Sequence, residues 1–233
     1  MHPVLFQSHG VTIYSYGFCV ALAVTLAFII SVRRAARKNL SDSTAIDLLF
    51  VVFIAGVVGA RIFYVLQHWA DYGSRWAAIF WIQEGGLVWY GGFIFAGLAG
   101  WCYCRRYRLS VLAWADFFAP TLALAHGVGR IGCFLNGCCY GKNGLSTQLY
   151  EASGLLALSA FIFWVTFKKT RAGEATAWYL VLYGALRFGV EFFRGDQSLA
   201  VFLTIPQWIS ICLFLLGLYL MKKARFLGNE NKH

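Results

Sequence analysis

Long apolar runs separated by short charged turns dominate the chain from end to end. Seven of them predict helices near 13–32, 45–66, 88–104, 111–130, 148–167, 175–193 and 205–222. Each approaches the roughly 20 residues that cross a bilayer, the shorter ones calling for glycine packing or local thinning. The expected fold is all-α: a polytopic membrane protein of seven transmembrane helices, forming one domain over 1–233. Between the second and third runs, segment 67–87 is rich in Trp and ends in Gln83-Glu84-Gly85-Gly86. Trp76 and Trp81 there suit the level of the headgroups.

Composition agrees with that pattern. The 233 residues are 60% hydrophobic and only 13% charged, about half the charged fraction of a soluble domain. The net charge of +10 raises the question of nucleic acid, but no soluble segment carries a basic patch interleaved with aromatics. The basic residues gather in alternate turns instead. Arg33, Arg34, Arg37 and Lys38 follow the first run, and Arg105, Arg106 and Arg108 the third. Lys168, Lys169 and Arg171 follow the fifth, and Lys222, Lys223, Arg225 and Lys232 the seventh. Only Arg75 and Lys142 stand clearly in the intervening turns. The positive-inside rule then places the amino terminus outside and the carboxyl terminus in the cytoplasm. The start of the chain lacks a basic n-region and a cleavage motif, so the first run reads as a retained span. No inverted repeat is visible, which argues against a small transporter.

Four arginines break the apolar pattern: Arg61, Arg130, Arg187 and Arg194. With this topology they lie late in spans two, four and six, all of which run outward. A charge at membrane depth is expensive and marks function by default. The bland alternative is snorkelling, or pairing with Asp47, Asp116, Glu151 or Glu191 to fix the bundle. The functional one is a phosphate or carboxylate site, because guanidinium stays charged and binds such oxygens bidentately. Arg187 and Glu191, four apart on one helix, share a face and can pair. Gly91-Gly92 after Trp89-Tyr90 fits either close helix packing or a substrate-lining surface.

His126 to Gly141 is the densest chemistry: a cation, an amide and three thiols among five glycines. Cys133, Cys138 and Cys139 fall on the outer side, in an oxidising compartment if the membrane is a bacterial inner membrane. A Cys133–Cys138 disulfide would staple the loop. The C-x-x-x-x-C-C spacing is not that of a thiol-exchange motif, and only His126 stands near as a further metal ligand. Packing or stapling is the expected use of these thiols, with no metal. Cys19, Cys102, Cys104 and Cys212 read as small apolar packing residues.

The stretch from Gly129 to Gly141 resembles the signature of the prolipoprotein diacylglyceryl transferase family, in a branch with Cys-Phe and Gly-Cys-Cys-Tyr-Gly. Ser15-Tyr16-Gly17, Gly59-Ala60-Arg61 with Tyr64, Gly86 through Gly92, Gln148-Leu149-Tyr150-Glu151 and Val190-Glu191-Phe192-Phe193-Arg194 resemble further family motifs, in order. The resemblance implies a multi-pass enzyme of the bacterial inner (plasma) membrane. Its reaction moves the diacylglyceryl group of phosphatidylglycerol to the lipobox cysteine thiol of a preprolipoprotein signal peptide. A thioether forms and glycerol phosphate leaves, with no metal or dissociable cofactor. By the same resemblance Arg130 and Arg187 grip the phosphate, Glu191 orients Arg187, and Tyr90 completes the catalytic set. Tyr16, Arg61, Gly91, Gly92, Asn136, Gly141 and Arg194 line the substrate.

Three departures bear on that expectation. Tyr90 stands where the family often has a histidine, and a phenol is a far weaker base at neutral pH. The start of span five reads Leu145-Ser146-Thr147-Gln148 without His-Pro, and the outer head segment shrinks to Lys142–Thr147. A divergent paralogue that binds phospholipid, with another acceptor or without catalysis, is the alternative these leave open.

Overall fold

Seven long helices run through the computed structural model, which describes residues 2–8, 11–37, 41–72, 76–81, 85–167, 171–195 and 202–230. They are α1 (Ser15–Arg37), α2 (Asp42–Gln67), α4 (Trp89–Arg106), α5 (Val111–Asn136), α6 (Thr147–Phe167), α7 (Glu174–Glu191) and α8 (Ile205–Glu230). One short helical turn, α3 (Trp69–Tyr72), and 3-10 turns at Trp76–Phe80 and Lys142–Gly144 lie between them. Five of these helices, α1, α2, α5, α6 and α8, are long and apolar enough to cross a membrane. The other two, α4 and α7, are 18 residues each. Lys38, Arg75, Gln83, Glu84, Lys168, Lys169 and Lys232 lie outside the described residues.

The all-α class holds, with one small β element added at the start. Strands β1 (Val4–Ser8) and β2 (Val11–Tyr14) form an antiparallel hairpin leading into α1. Period-two alternation this short is easily absorbed into the apolar run that follows it. Helix α5 departs from expectation in its length. It continues six residues past the expected end at Arg130, to Asn136, so Cys133 sits on its last turn and not in a loop.

The chain packs as two compact units, one of residues 1–31 with 112–233 and the other of 32–111. In the smaller, α2 lies against α4. Their approach depends on glycine: a Cβ on Gly91 would stand 2.4 Å from the Gly59 carbonyl oxygen, and one on Gly59 2.4 Å from Phe95 Cβ. The backbones touch where side chains are missing, as small residues allow between membrane helices. Phe63 and Phe95 pack edge to face beside that contact.

In the larger unit, α7 packs on α6 and α8. Buried Ala119, Ala123, Leu155, Leu158, Ile162 and Ala175 make the core between α5, α6 and α7. Asp116, on α5, accepts from Gly173 N at 2.6 Å, Thr176 N at 2.7 Å and Thr176 Oγ1 at 2.6 Å. It thereby satisfies the amides of Gly173 and Thr176 at the start of α7, which have no partner within that helix. The hairpin is tied to the far end of α5 by His2 N donating to the Leu135 carbonyl at 3.1 Å. Gly132 lets α1 close on α5, since a Cβ there would fall 2.8 Å from Cys19 Cβ and 3.4 Å from the Tyr16 ring.

Candidate functional site

Five of the ionisable side chains in the larger unit join in a single buried row. Arg130, on α5, places Nη2 3.0 Å from Glu151 Oε1 on α6. The same oxygen lies 4.0 Å from Arg187 Nε on α7 and 4.0 Å from His126 Nε2. Arg187 Nη1 then approaches Glu191 Oε2 to 2.6 Å, so the i,i+4 pair forms. Glu191 Oε2 also faces Arg194 Nε at 3.8 Å, and its other oxygen accepts from Thr204 Oγ1 at 2.8 Å. Cation and carboxylate alternate along the row. Among the described residues the row counts three guanidiniums and two carboxylates, a surplus of one positive charge.

Burial gives that surplus its importance. The two glutamate side chains are 2% and 0% exposed, and those of Arg130, Arg187 and Arg194 lie between 6% and 15%. Charges this dry are screened little by salt, and a carboxylate alone there would be costly. The pairs are close in distance without being aligned as hydrogen bonds: Glu151 Oε1, Arg187 Nη1, Glu191 Oε2 and Arg130 Nε all lack a hydrogen-bond partner among the described residues. A row with spare buried donors and net positive charge is suited to an anion of phosphate type. His126 borders it, edge to face on Tyr183 with ring centroids 5.1 Å apart.

The loop after α5 positions the far end of the row. Gly141 forms an antiparallel bridge with Arg194. Lys142 N donates to the Phe193 carbonyl at 2.8 Å, and Gly195 N to that of Tyr140 at 3.2 Å. A Cβ at Gly141 would collide with Thr147, Leu145 and Phe193 at 2.6–2.8 Å. The short connection is thus sewn to the segment that carries Arg194. Asn136 ends α5 and is exposed, as is Tyr16 on the first turn of α1.

The thiols are not a staple. All seven cysteines are free, and hydrogen bonds hold the loop where a Cys133–Cys138 disulfide would have stapled it. Gln148 Nε2 donates to the Cys138 carbonyl at 2.7 Å, and Thr147 Oγ1 to that of Cys139 at 3.0 Å. A hydrogen bond from Cys133, aided by Arg194 and Arg130, holds the Cys139 thiol down at about 5 despite burial. Burial pushes the Cys138 thiol up.

Arg61, Tyr90, Gly91 and Gly92 belong to the smaller unit. Arg61 is buried and donates four hydrogen bonds to backbone carbonyls there. Nε reaches Ile79 at 2.8 Å, Nη2 reaches Ala78 at 2.7 Å, and Nη1 reaches Gly85 and Gly86 at 2.7 and 3.1 Å. It organises the segment between α2 and α4. Tyr90 is exposed on the first turn of α4, its ring 5.4 Å from that of Trp89. Gly91 and Gly92 both face α2 backbone, at Gly59 and Gly56. Thr204 was not among the expected site residues, and Glu151 stood there only as a pairing partner for the arginines, a role its contact with Arg130 fulfils.

A family model described as prolipoprotein diacylglyceryl transferase matches residues 3–222. The phosphatidylglycerol–prolipoprotein diacylglyceryl transferase of Finegoldia magna is 33% identical to the chain, covering 97% of it and 96% of the relative. That of Clostridium tetani is 31% identical over 97% and 99%, and a second form from Clostridium perfringens 31% over 99% and 98%. The match takes in every helix that contributes to the arginine–glutamate row, and the chain belongs to the prolipoprotein diacylglyceryl transferase family.

Proposed function

We propose that the chain transfers the diacylglyceryl group of phosphatidylglycerol to the lipobox cysteine of a preprolipoprotein. The observation that carries this reading is the buried row with its surplus positive charge. In the reaction the substrate thiolate attacks the glycerol carbon that bears the phosphate. A C–S bond forms, the C–O bond to phosphate breaks, and glycerol phosphate departs with the electron pair. Arg130 and Arg187 are the residues to hold the phosphate, because positive charge fixed at the leaving group stabilises the transition state more than the ground state. Glu191 fixes Arg187 in one geometry, and Glu151 does the same for Arg130. Tyr16 and Asn136, at the starts and ends of α1 and α5, stand as lining groups with Gly141 and Arg194. Arg61, Gly91, Gly92 and Tyr90 contribute through the smaller unit, the first three by shaping its backbone.

Within the same proposal, α4 and α7 are spans alongside the five more apolar helices, giving seven in all. The amino terminus then faces outward across the bacterial inner membrane, with the basic turns inside. A reporter fused at each terminus tests this, since activity of a periplasmic reporter at the carboxyl end contradicts it.

A second reading, a phospholipid-binding paralogue with another acceptor or none, is favoured by the brevity of the connection between α5 and α6, whose one helical turn is Lys142–Gly144. Transfer from phosphatidylglycerol vesicles to a lipobox peptide separates the two. The expected result is thioether formation that Arg130→Ala and Arg187→Ala each abolish while the protein still inserts. Wild-type rates in either variant remove the phosphate grip. Absence of transfer, together with failure to restore lipoprotein modification in cells depleted of the enzyme, favours the second reading.

A further inference from the structure

Spacing in the sequence separates Cys133 from Cys138 and Cys139, yet the fold brings all three together. Their Sγ atoms all lie within 4.8 Å of one another. Cys133 contributes from the last turn of α5, and the chain then reverses through Gly137, at φ +76°, with Cys138 N donating back to the Cys133 carbonyl at 3.2 Å. Cys139 itself adopts φ +62°. That left-handed conformation is unfavourable for a residue with a Cβ and persists only where its surroundings impose it. Here Thr147 and Gln148, both buried on the first turn of α6, grip the carbonyls of Cys139 and Cys138. The backbone is held so that two consecutive side chains both meet a third.

A trigonal ion bound at the usual metal–thiolate distance of about 2.3 Å needs sulfurs about 4 Å apart, within the observed spacing. No His, Asp or Glu joins the cluster among the described residues. Three soft donors without a harder fourth match Cu(I) better than Zn(II), which takes four ligands in structural sites. Nearby cations favour the thiolate forms such a site requires. Arg130 lies one turn before Cys133, and Arg194 is bridged to Gly141, just beyond Cys139. A monovalent ion under three thiolates leaves a net negative charge, which the positive row beside it partly offsets.

We propose that Cys133, Cys138 and Cys139 form a three-thiolate binding site for a soft d10 cation, Cu(I) being the fitting ion. This stands on the thiol geometry and does not depend on the transferase reading.

The test is anaerobic titration of the reduced, full-length chain in lipid nanodiscs with Cu(I), read by thiolate-to-copper charge-transfer absorption and by X-ray absorption. The expected result is one Cu(I) per chain with three sulfur neighbours. Cys133→Ser, Cys138→Ser and Cys139→Ser each remove the stoichiometric step, whereas Cys102→Ser with Cys212→Ser leaves it unchanged. Thermal melts verify that each variant is folded. Two-sulfur coordination, or binding unaltered in Cys138→Ser and Cys139→Ser, overturns the proposal. So does preference for Zn(II) over Cu(I), or a Cys133 disulfide in chain isolated without reductant whose thiols, once reduced, take up no copper.

Discussion

Glu151→Gln separates the two tasks of the buried row, keeping shape while removing one charge. Glu151 Oε1 faces Arg130 at 3.0 Å and Arg187 at 4.0 Å, and its side chain is 2% exposed. With the carboxylate gone, Glu191 is the one carboxylate left in the row, and it contacts Arg187 and Arg194 but not Arg130. Removing one partner of a buried ion pair costs about 3–5 kcal/mol, because the charge left behind is neither hydrated nor compensated. For a chain of 150–250 residues each kcal/mol moves the melting point by about 2–4 °C, so the expected drop is roughly 6–20 °C. Anion binding responds in the opposite sense. The surplus positive charge of the row doubles, so glycerol phosphate binds at least as tightly to the folded variant as to the parent. Arg130→Ala is the contrasting variant, since it deletes the cation and loses that binding. Thermal denaturation in detergent and calorimetric titration with glycerol phosphate, the latter well below the melt, read the two effects apart. A Glu151→Gln melt within about 2 °C of the parent, with the cost of the uncompensated charge thus missing, refutes the account of burial. Loss of glycerol phosphate binding as complete as in Arg130→Ala refutes the account of charge.

Further outcomes follow from other contacts. Arg61→Lys cannot reproduce four carbonyl bonds with a planar fork, and costs about 2–4 kcal/mol given about 1.5–3 for each bond to a charged group, partly recovered. Faster proteolysis at residues 76–86 measures it, and unchanged protection contradicts the organising role. Gly91→Ala forces α2 and α4 apart, for a loss of about 1–3 kcal/mol, while Gly97→Ala, with nothing within 4 Å of its Cβ, is neutral or stabilising. Equal melts for those two variants dispose of the close-approach argument. Alkylation of Cys139 followed by mass spectrometry has its midpoint near pH 5, because the thiolate persists down to its lowered pKa of about 5 and is lost only below it. A midpoint in the ordinary thiol range near 8.5 shows that Cys133 does not donate to it.

The helix positions were legible because membrane helices announce themselves by length and polarity, and observed ends differ from expectation by a few residues at most places. Where they differ, tertiary packing overrides local pattern. The stretch after Arg130 reads as loop from its glycines, yet Gly132 continues the helix because its missing Cβ admits Cys19 and Tyr16 of α1. Gly91 and Gly92 were ambiguous in sequence for a physical reason. Helix packing and ligand approach make the same demand, the absence of a side chain, and only the neighbours distinguish them. Arg61 was opaque in another way. Its acceptors are backbone carbonyls of Ala78, Ile79, Gly85 and Gly86, which no side-chain pattern encodes. Arg187 with Glu191 was readable because helical periodicity alone joins them, whereas Glu151 reaches Arg130 across two helices.

The shortened connection between α5 and α6 changes meaning once its bonds are counted. In sequence it is a loss, the missing outer head. In the fold, its ends are already held: Gln148 and Thr147 fix Cys138 and Cys139, and Gly141 and Lys142 pair with the strand-like turn that carries Phe193 and Arg194. Closing a long flexible loop across the same gap costs more entropy and leaves Arg194 to be oriented by α7 alone, whose last helical residue is Glu191. The short loop instead fixes Arg194 from outside its own helix and seats it 7% exposed beside Glu191. Brevity here supplies rigidity at the edge of the anion row. It also places Cys139 one residue before Tyr140, whose carbonyl accepts from Gly195 N, so any ligand those thiols take sits near the end of the row that carries Arg194.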